Sequence, residues 1–159
     1  MISTLTFFVL LSIGFIQGAL TTNESCEVQV YDSFDPCGGS IWVPRSCDSA
    51  TLNLDATRFT SCTAVSISWA YPMNNFTIII ETPFTQQLQS YSVTIDNWLM
   101  KESDIRVYRI LDGRETEVKS TDDVIVQNSD SNYQVILKLQ APSTIGLYVL
   151  PFNYKVTKL

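Results

Sequence analysis

Along most of its length the chain alternates apolar and polar positions in period two. Thr63 to Trp69 reads TAVSISW, with Val65, Ile67 and Trp69 on one face and small or polar residues on the other. Side chains along a strand point alternately to opposite sides, so this pattern predicts a strand with one buried face. Runs rich in β-branched and aromatic residues follow at Asn75–Glu81, Ser90–Asp96, Ile105–Leu111, Asp123–Gln127 and Tyr133–Leu139. In the last of these, Tyr133, Val135, Leu137 and Leu139 alternate with Gln134, Ile136, Lys138 and Gln140. A final strand is predicted over Gly146 to Val156, where Pro151 marks a bulge or a sheet edge because it has no amide proton for a ladder. Turn residues separate the runs at Tyr71-Pro72-Met73-Asn74, Asp112-Gly113, Asn128 to Asn132 and Ala141-Pro142-Ser143. No window holds an apolar stripe at helical spacing, and only Asn97 to Ser103 reads as a short helix.

Strands at this spacing predict an all-β domain, a disulfide-stapled sandwich of two antiparallel sheets. Trp42 and Trp69 are expected in its core. Two stretches depart from the strand pattern. Residues 1–18 carry an apolar core from Leu5 to Ile16, the length of a signal-peptide core and too short to span a bilayer. They predict secretion, with cleavage after Gly18 and one domain over residues 19–159; an uncleaved anchor or a buried N-terminal strand is the rival reading. No later segment is apolar for long enough to be a membrane span. The other stretch, Cys26 to Cys62, is poorest in strand pattern and holds all four cysteines, Cys26, Cys37, Cys47 and Cys62. In a secreted chain an even count predicts two disulfides, with three pairings open. A zinc site would need histidine or a CxxC pair, and the chain has neither. Sequons at Asn23 and Asn75 are candidate glycosylation sites and fit the same secretory route.

From Cys37 to Tyr154 the sequence resembles a CUB domain. Cys37-Gly38-Gly39 matches the family's opening, and Cys62 begins CTAVSISW at about the family's spacing for its second cysteine. Phe76-Thr77-Ile78-Ile79-Ile80, Asp104 to Tyr108 running on to Asp112-Gly113, the polar turn Asn128 to Asn132 before Val135, Leu137 and Leu139, and the closing Gly146-Leu147-Tyr148 and Tyr154 follow in family order. The family's second cysteine pair is absent, as in divergent CUB-like families of nematodes that are associated with responses to pathogens. The resemblance implies a CUB-like jelly-roll sandwich, a Cys37–Cys62 bridge that leaves Cys26–Cys47, and an extracellular role in recognising proteins or carbohydrate. It also places Asp104 at one position of the family's calcium site, where Asn132 could add an oxygen. The family's other carboxylates have no match, so Asp104 is expected as a turn cap or a surface charge in a domain that needs no metal.

Composition narrows the chemistry. Without histidine there is no Ser-His-Asp or Cys-His arrangement, and no phosphate loop or CxxC redox pair is present. Carboxylates such as Asp122, Asp123, Glu115 and Glu117 fall in turns or on polar strand faces, and they read as solvated rather than as a glycosidase pair. No catalytic residue and no cofactor are expected. A net charge of −6 gives no footprint for nucleic acid. Arg106 and Arg109 lie on opposite strand faces and are expected in solvent. Trp98, Leu99 and Met100 interrupt the strand pattern. Exposed, they would be a candidate binding patch; folded back, they would plug one end of the sandwich, which is the expected arrangement. The function these features predict is a secreted, non-enzymatic recognition module of CUB-like type, with an extracellular protein or carbohydrate as partner and an innate-immune role by analogy. The alternative is a self-assembling component of an extracellular matrix or coat.

Overall fold

The structure is a computed structural model that describes residues 26–55, 57–119, 121–143 and 148–159. The signal-like stretch 1–18, the sequon at Asn23, and Gly146 and Leu147 lie outside the described residues. Eleven strands are described: β1 Gln29–Asp32, β2 Gly38–Trp42, β3 Ser49–Asn53, β4 Ala64–Ala70, β5 Asn75–Ile80, β6 Tyr91–Asp96, β7 Arg106–Leu111, β8 Arg114–Glu117, β9 Val124–Asn128, β10 Val135–Gln140 and β11 Val149–Lys158. Two short helices, α1 Pro83–Gln86 and α2 Trp98–Glu102, and a 3-10 turn at Arg58–Ser61 complete the set. A six-stranded sheet in the order β1-β2-β4-β11-β6-β9 packs on a five-stranded one in the order β3-β5-β10-β7-β8.

The sandwich is all-β, as expected, but its sheets are mixed. β2 runs parallel to β4, and β3 runs parallel to β5, while every other pair is antiparallel. The chain crosses from sheet to sheet at each step from β2 to β5. Strands two apart in sequence therefore run the same way and become neighbours. At the far side of the fold, Asp112 and Gly113 both have positive φ (50° and 72°) and join Leu111 to Arg114 as a two-residue hairpin turn.

The alternation read from the sequence is the alternation of burial. Val65, Ile67 and Trp69 of β4, Tyr91, Val93 and Ile95 of β6, and Leu150, Phe152, Tyr154 and Val156 of β11 face inward. They meet Phe76, Ile78 and Ile80 of β5 and Val135, Leu137 and Leu139 of β10, all buried. Trp69 and Phe76 touch across the two sheets with ring centroids 5.3 Å apart. Fully burying each such side chain is worth roughly 1.5–3 kcal/mol, so this layer is the main source of stability. Trp42 is half-buried instead, because Ile41 takes the inward position of β2 and its neighbour must point out. Pro151 lies in β11, which is central rather than at an edge. Yet at Pro151 the strand pairs only with β4, opposite Ser68, since pairing with β6 begins at Tyr154. The strand is an edge locally, and the missing amide proton leaves no ladder bond unmade.

The cysteines pair as Cys26–Cys47 and Cys37–Cys62, with Cα atoms 5.5 and 5.8 Å apart. The second bridge joins the entrances of the parallel neighbours β2 and β4. Beside it, a Cβ on Gly39 would lie 2.9 Å from both Phe59 Cζ and the Tyr31 carbonyl oxygen, so this position of the Cys-Gly-Gly run has no room for a side chain. Among the described residues, no helix is long and apolar enough to cross a membrane.

Candidate functional site

Over β4, β11 and β6 the outer face of the six-stranded sheet carries mostly short side chains, with Lys155 among them. β4 presents Ala64, Ser66 and Ser68, β6 presents Ser92, Thr94 and Asp96, and β11 presents Asn153, Lys155 and Thr157. The registers align these residues in rows across the strands. Ser66 stands opposite Asn153, and Asn153 lies beside Asp96 because Tyr154 is paired with Ile95. Ser66 Oγ donates to Asn153 Oδ1 at 2.8 Å, and Asn153 Nδ2 donates to Asp96 Oδ2 at 3.2 Å. This row fixes the amide's orientation. It leaves one Asn153 N–H and Asp96 Oδ1 without partners among the described residues.

Because the paving is short, the face is hollow. A depression of about 550 Å³ is lined by Asp35, Ser66, Thr94, Lys155 and Thr157, with Asp96 and Asn153 at its wall. A second hollow of about 230 Å³ lies on the other side of that wall, lined by Asp96, Trp98, Leu99, Pro151 and Asn153. The two share Asp96 and Asn153, so they form one groove with Trp98 at its end. The larger hollow falls within the roughly 300–1,000 Å³ typical of small-ligand sites.

Helix α2 holds Trp98 in place. The Asn97 amide donates to the Asp123 carbonyl at 2.8 Å and Asn97 Nδ2 to the Asp122 carbonyl at 2.9 Å, pinning the helix start to the strand-β9 approach. Lys101 Nζ donates to Thr121 O and to Asp123 Oδ1 at 2.9 and 2.8 Å. At the other end, Asp104 N–H donates to Lys101 O and Ile105 N–H to Met100 O, with Asp104 at φ 54°. This is a Schellman stop, with the buried Met100 and Ile105 in its apolar positions.

The three-residue candidate patch therefore divides. Trp98 is 54% exposed and Leu99 partly buried, whereas Met100 is 1% exposed and cannot contact a ligand. One helical turn sends Met100 into the core while Trp98 points out. The calcium candidates divide as well. Asp104 sits by the Arg106–Gln140 end of β10, and Asn132 precedes the opposite end of that strand. At 3.3–3.4 Å per residue the strand separates them by about 17 Å, far beyond a shared cation. Among the described residues, no group of three or more histidine, cysteine or acidic side chains gathers to hold a metal.

The other sequence candidates fall in solvated pairs or in the frame. Asp123 pairs with Lys101, Glu115 with Lys138 at 2.9 Å, and Glu117 with Lys119 at 3.9 Å. Asn75 opens β5, and its Nδ2 donates to the Asp48 carbonyl at 3.3 Å; an N-linked glycan would keep one amide proton for that bond. Arg106 is exposed, but Arg109 is not in free solvent. It shares the inward face of β7 with Val107 and donates to the carbonyls of Ile136, Asn128 and Gln134 at 3.1–3.3 Å. Burial lowers its pKa.

A polar cluster closes the same end of the sandwich. Tyr91 OH donates to Ile80 O at 2.7 Å, and Thr85 Oγ1 donates to Tyr133 O at 2.9 Å. Gln134 Nε2 donates to Glu81 Oε1 at 2.5 Å. Burial raises the Glu81 carboxyl above its usual pKa, partly offset by the Gln134 bond and reinforced by nearby Asp55. Burial also raises the phenols of Tyr91 and Tyr154.

The groove residues Asp96, Asn153 and Ser66 were not singled out from the sequence. Ser66 and Asn153 are 87 positions apart, and only the sheet order makes them neighbours. The available signal was weak: small polar residues on the outward positions of several strands at once. No protein-family model matches the chain, and no curated protein is significantly similar to it.

Proposed function

We propose that the protein acts outside the cell as a non-enzymatic recognition module, binding its partner along the groove that runs from Trp98 across Asp96 and Asn153. The observation that carries this reading is the groove itself. Solvent-facing sheet surfaces are ordinarily covered by long charged side chains, but here short hydroxyls and an amide leave the surface hollow. An indole that is more than half exposed stands at its end on a helix anchored at both termini. An exposed aromatic on a rigid support supplies contact area at little entropic cost, which is the usual character of a binding anchor. Two disulfides support placement in an oxidising, extracellular setting. The Cys37–Cys62 bridge supports the CUB-like reading, which in turn motivates a role in host defence.

The rival is self-assembly into a matrix or coat. It is favoured by Val124 and Val126, 42% and 55% exposed on edge strand β9. Fluorescently labelled protein applied to intact cells, matrix and microbial surfaces separates the two. The recognition reading expects a monomer on gel filtration, saturable binding to one of these surfaces, and loss of binding in Ser66→Arg, which fills the groove without touching the core. Equal binding by that variant would remove the groove from the reading. Concentration-dependent oligomers without saturable surface binding would favour the rival.

A further inference from the structure

We infer that the groove's ligand is a neutral carbohydrate, with Trp98 as the stacking platform and the Ser66–Asn153–Asp96 row as the reader of its hydroxyls. The inference rests on the recognition reading above and names the chemistry of its partner.

Each kind of lining group selects against a different ligand class. Among the described residues, Lys155 is the only cation lining either hollow, set against Asp35 and Asp96, so phosphate, sulfate and nucleic acid lack the positive charge they need. The larger hollow is open and bordered by hydroxyls, so a lipid or a bulky apolar side chain would leave polar groups unsatisfied beneath it. What remains is a ligand with an apolar face and a rim of uncharged donors and acceptors.

A pyranose ring has that shape. Its axial C–H bonds form a weakly positive apolar face that meets the electron-rich face of an indole, and Trp98 with Pro151 offers such a surface. Its neighbouring hydroxyls each donate and accept. The free Asp96 oxygen can only accept, and the remaining Asn153 proton can only be donated. Side by side, they complement a vicinal diol in which one hydroxyl donates and its neighbour accepts. Both groups are already held by the Ser66 and Asn153 bonds, so little rotamer freedom is lost on binding. Beyond this pair the groove continues along β11 to Thr157. Thr157 lies six residues beyond Pro151, about 20 Å of strand, which gives room for more than one ring. The structure thus points to a polysaccharide chain rather than a monosaccharide.

The test uses the intact secreted protein. In native gels cast with soluble mannan, xylan or hydroxyethyl cellulose, whose sugars carry vicinal diols, migration is retarded by at least one polymer. Trp98→Ala and Asn153→Ala each weaken that retardation ~tenfold or more, with unchanged circular dichroism and melting temperature. Mild periodate, which cleaves vicinal diols, abolishes binding to the surface identified above. Surface binding that survives periodate and is lost to protease would overturn the carbohydrate while leaving the recognition module standing. So would failure of every polymer to retard a protein that still binds its surface. Retardation that both variants retain in full would overturn the assignment of this groove. Absence of any saturable binding would instead remove the recognition reading on which the inference rests.

Discussion

Asp104 shows how one residue can fit two explanations that make opposite demands. As a calcium ligand it would need its carboxylate. As the left-handed residue of the α2 stop it needs only a backbone that tolerates φ 54°. The second role is the one in the structure, where the Asp104 and Ile105 amides close the last turn onto Lys101 and Met100. A left-handed conformation costs most residues roughly 1–2 kcal/mol, with glycine exempt and aspartate partly so. Asp104→Gly should therefore leave the thermal midpoint unchanged or raise it, with or without calcium. Asp104→Val should lose about 1–2 kcal/mol in urea unfolding. A glycine variant that is destabilised, and a wild type whose midpoint climbs on adding millimolar calcium, would return Asp104 to the metal. The same helix divides the neighbouring apolar run: Met100 folds inward as the expected plug would, whereas Trp98 stays exposed, because three large apolar residues in a row look alike until a helix turns them to different sides.

At the scale of elements, what was legible followed from burial. β4, β5, β6 and β10 each carry enough inward apolar residues to be read at once, β7 and β9 were legible from their β-branched runs although only Val107 and Ile125 are buried, and α2 stood out by breaking the alternation. β2 escaped because Gly38 and Gly39 replace side chains with close backbone approach, and β8 (RETE) because all four of its residues are exposed. β3 has only Ala50 and Leu52 facing inward. The parallel pairs were invisible for another reason: direction depends on which sheet each strand joins, and side-chain pattern does not encode that. The end of the sandwich around α1, β6 and β10 also carries a pH signature. Burial raises the Glu81 pKa in the folded state, so the native state binds its proton more readily than the unfolded chain does. The sign follows from that difference: stability from this group is fully present below the ordinary carboxylate range and is lost as pH rises through the raised value. Glu81→Gln should flatten the fall in urea midpoint as pH rises above about 4.5, and the variant should be the more stable protein at pH 7. Its Oε1 can still accept from Gln134 Nε2, so the contact itself survives. A Gln variant with the wild-type pH profile would show that Glu81 is solvated after all.

For the whole molecule, the candidate groove and the disulfide frame were legible to different degrees because they depend on different distances. Cysteine number and clustering are sequence facts, whereas the Ser66–Asn153–Asp96 row exists only once three strands from separate parts of the chain lie in order. The two bridges close loops of similar length, 21 and 25 residues. Their effects on the unfolded chain therefore differ by only on the order of 0.1 kcal/mol, with each bridge worth about 3 kcal/mol by loop closure. Any larger difference must come from the folded state. Cys37–Cys62 fastens β2 to β4, a parallel pair whose connection detours through the opposite sheet, and β1 is an edge strand whose sheet neighbour is β2. Cys26–Cys47 ties the segment ahead of β1 to the turn after β2, where Cys26 is exposed. Replacing both members of the Cys37–Cys62 pair by serine should thus cost more than the same change at Cys26 and Cys47, and it should lower the urea m-value as β1 and β2 detach before the rest. Equal midpoints and equal slopes for the two double variants would mean that both bridges act on the unfolded chain alone, and that the sandwich holds its parallel edge without covalent help.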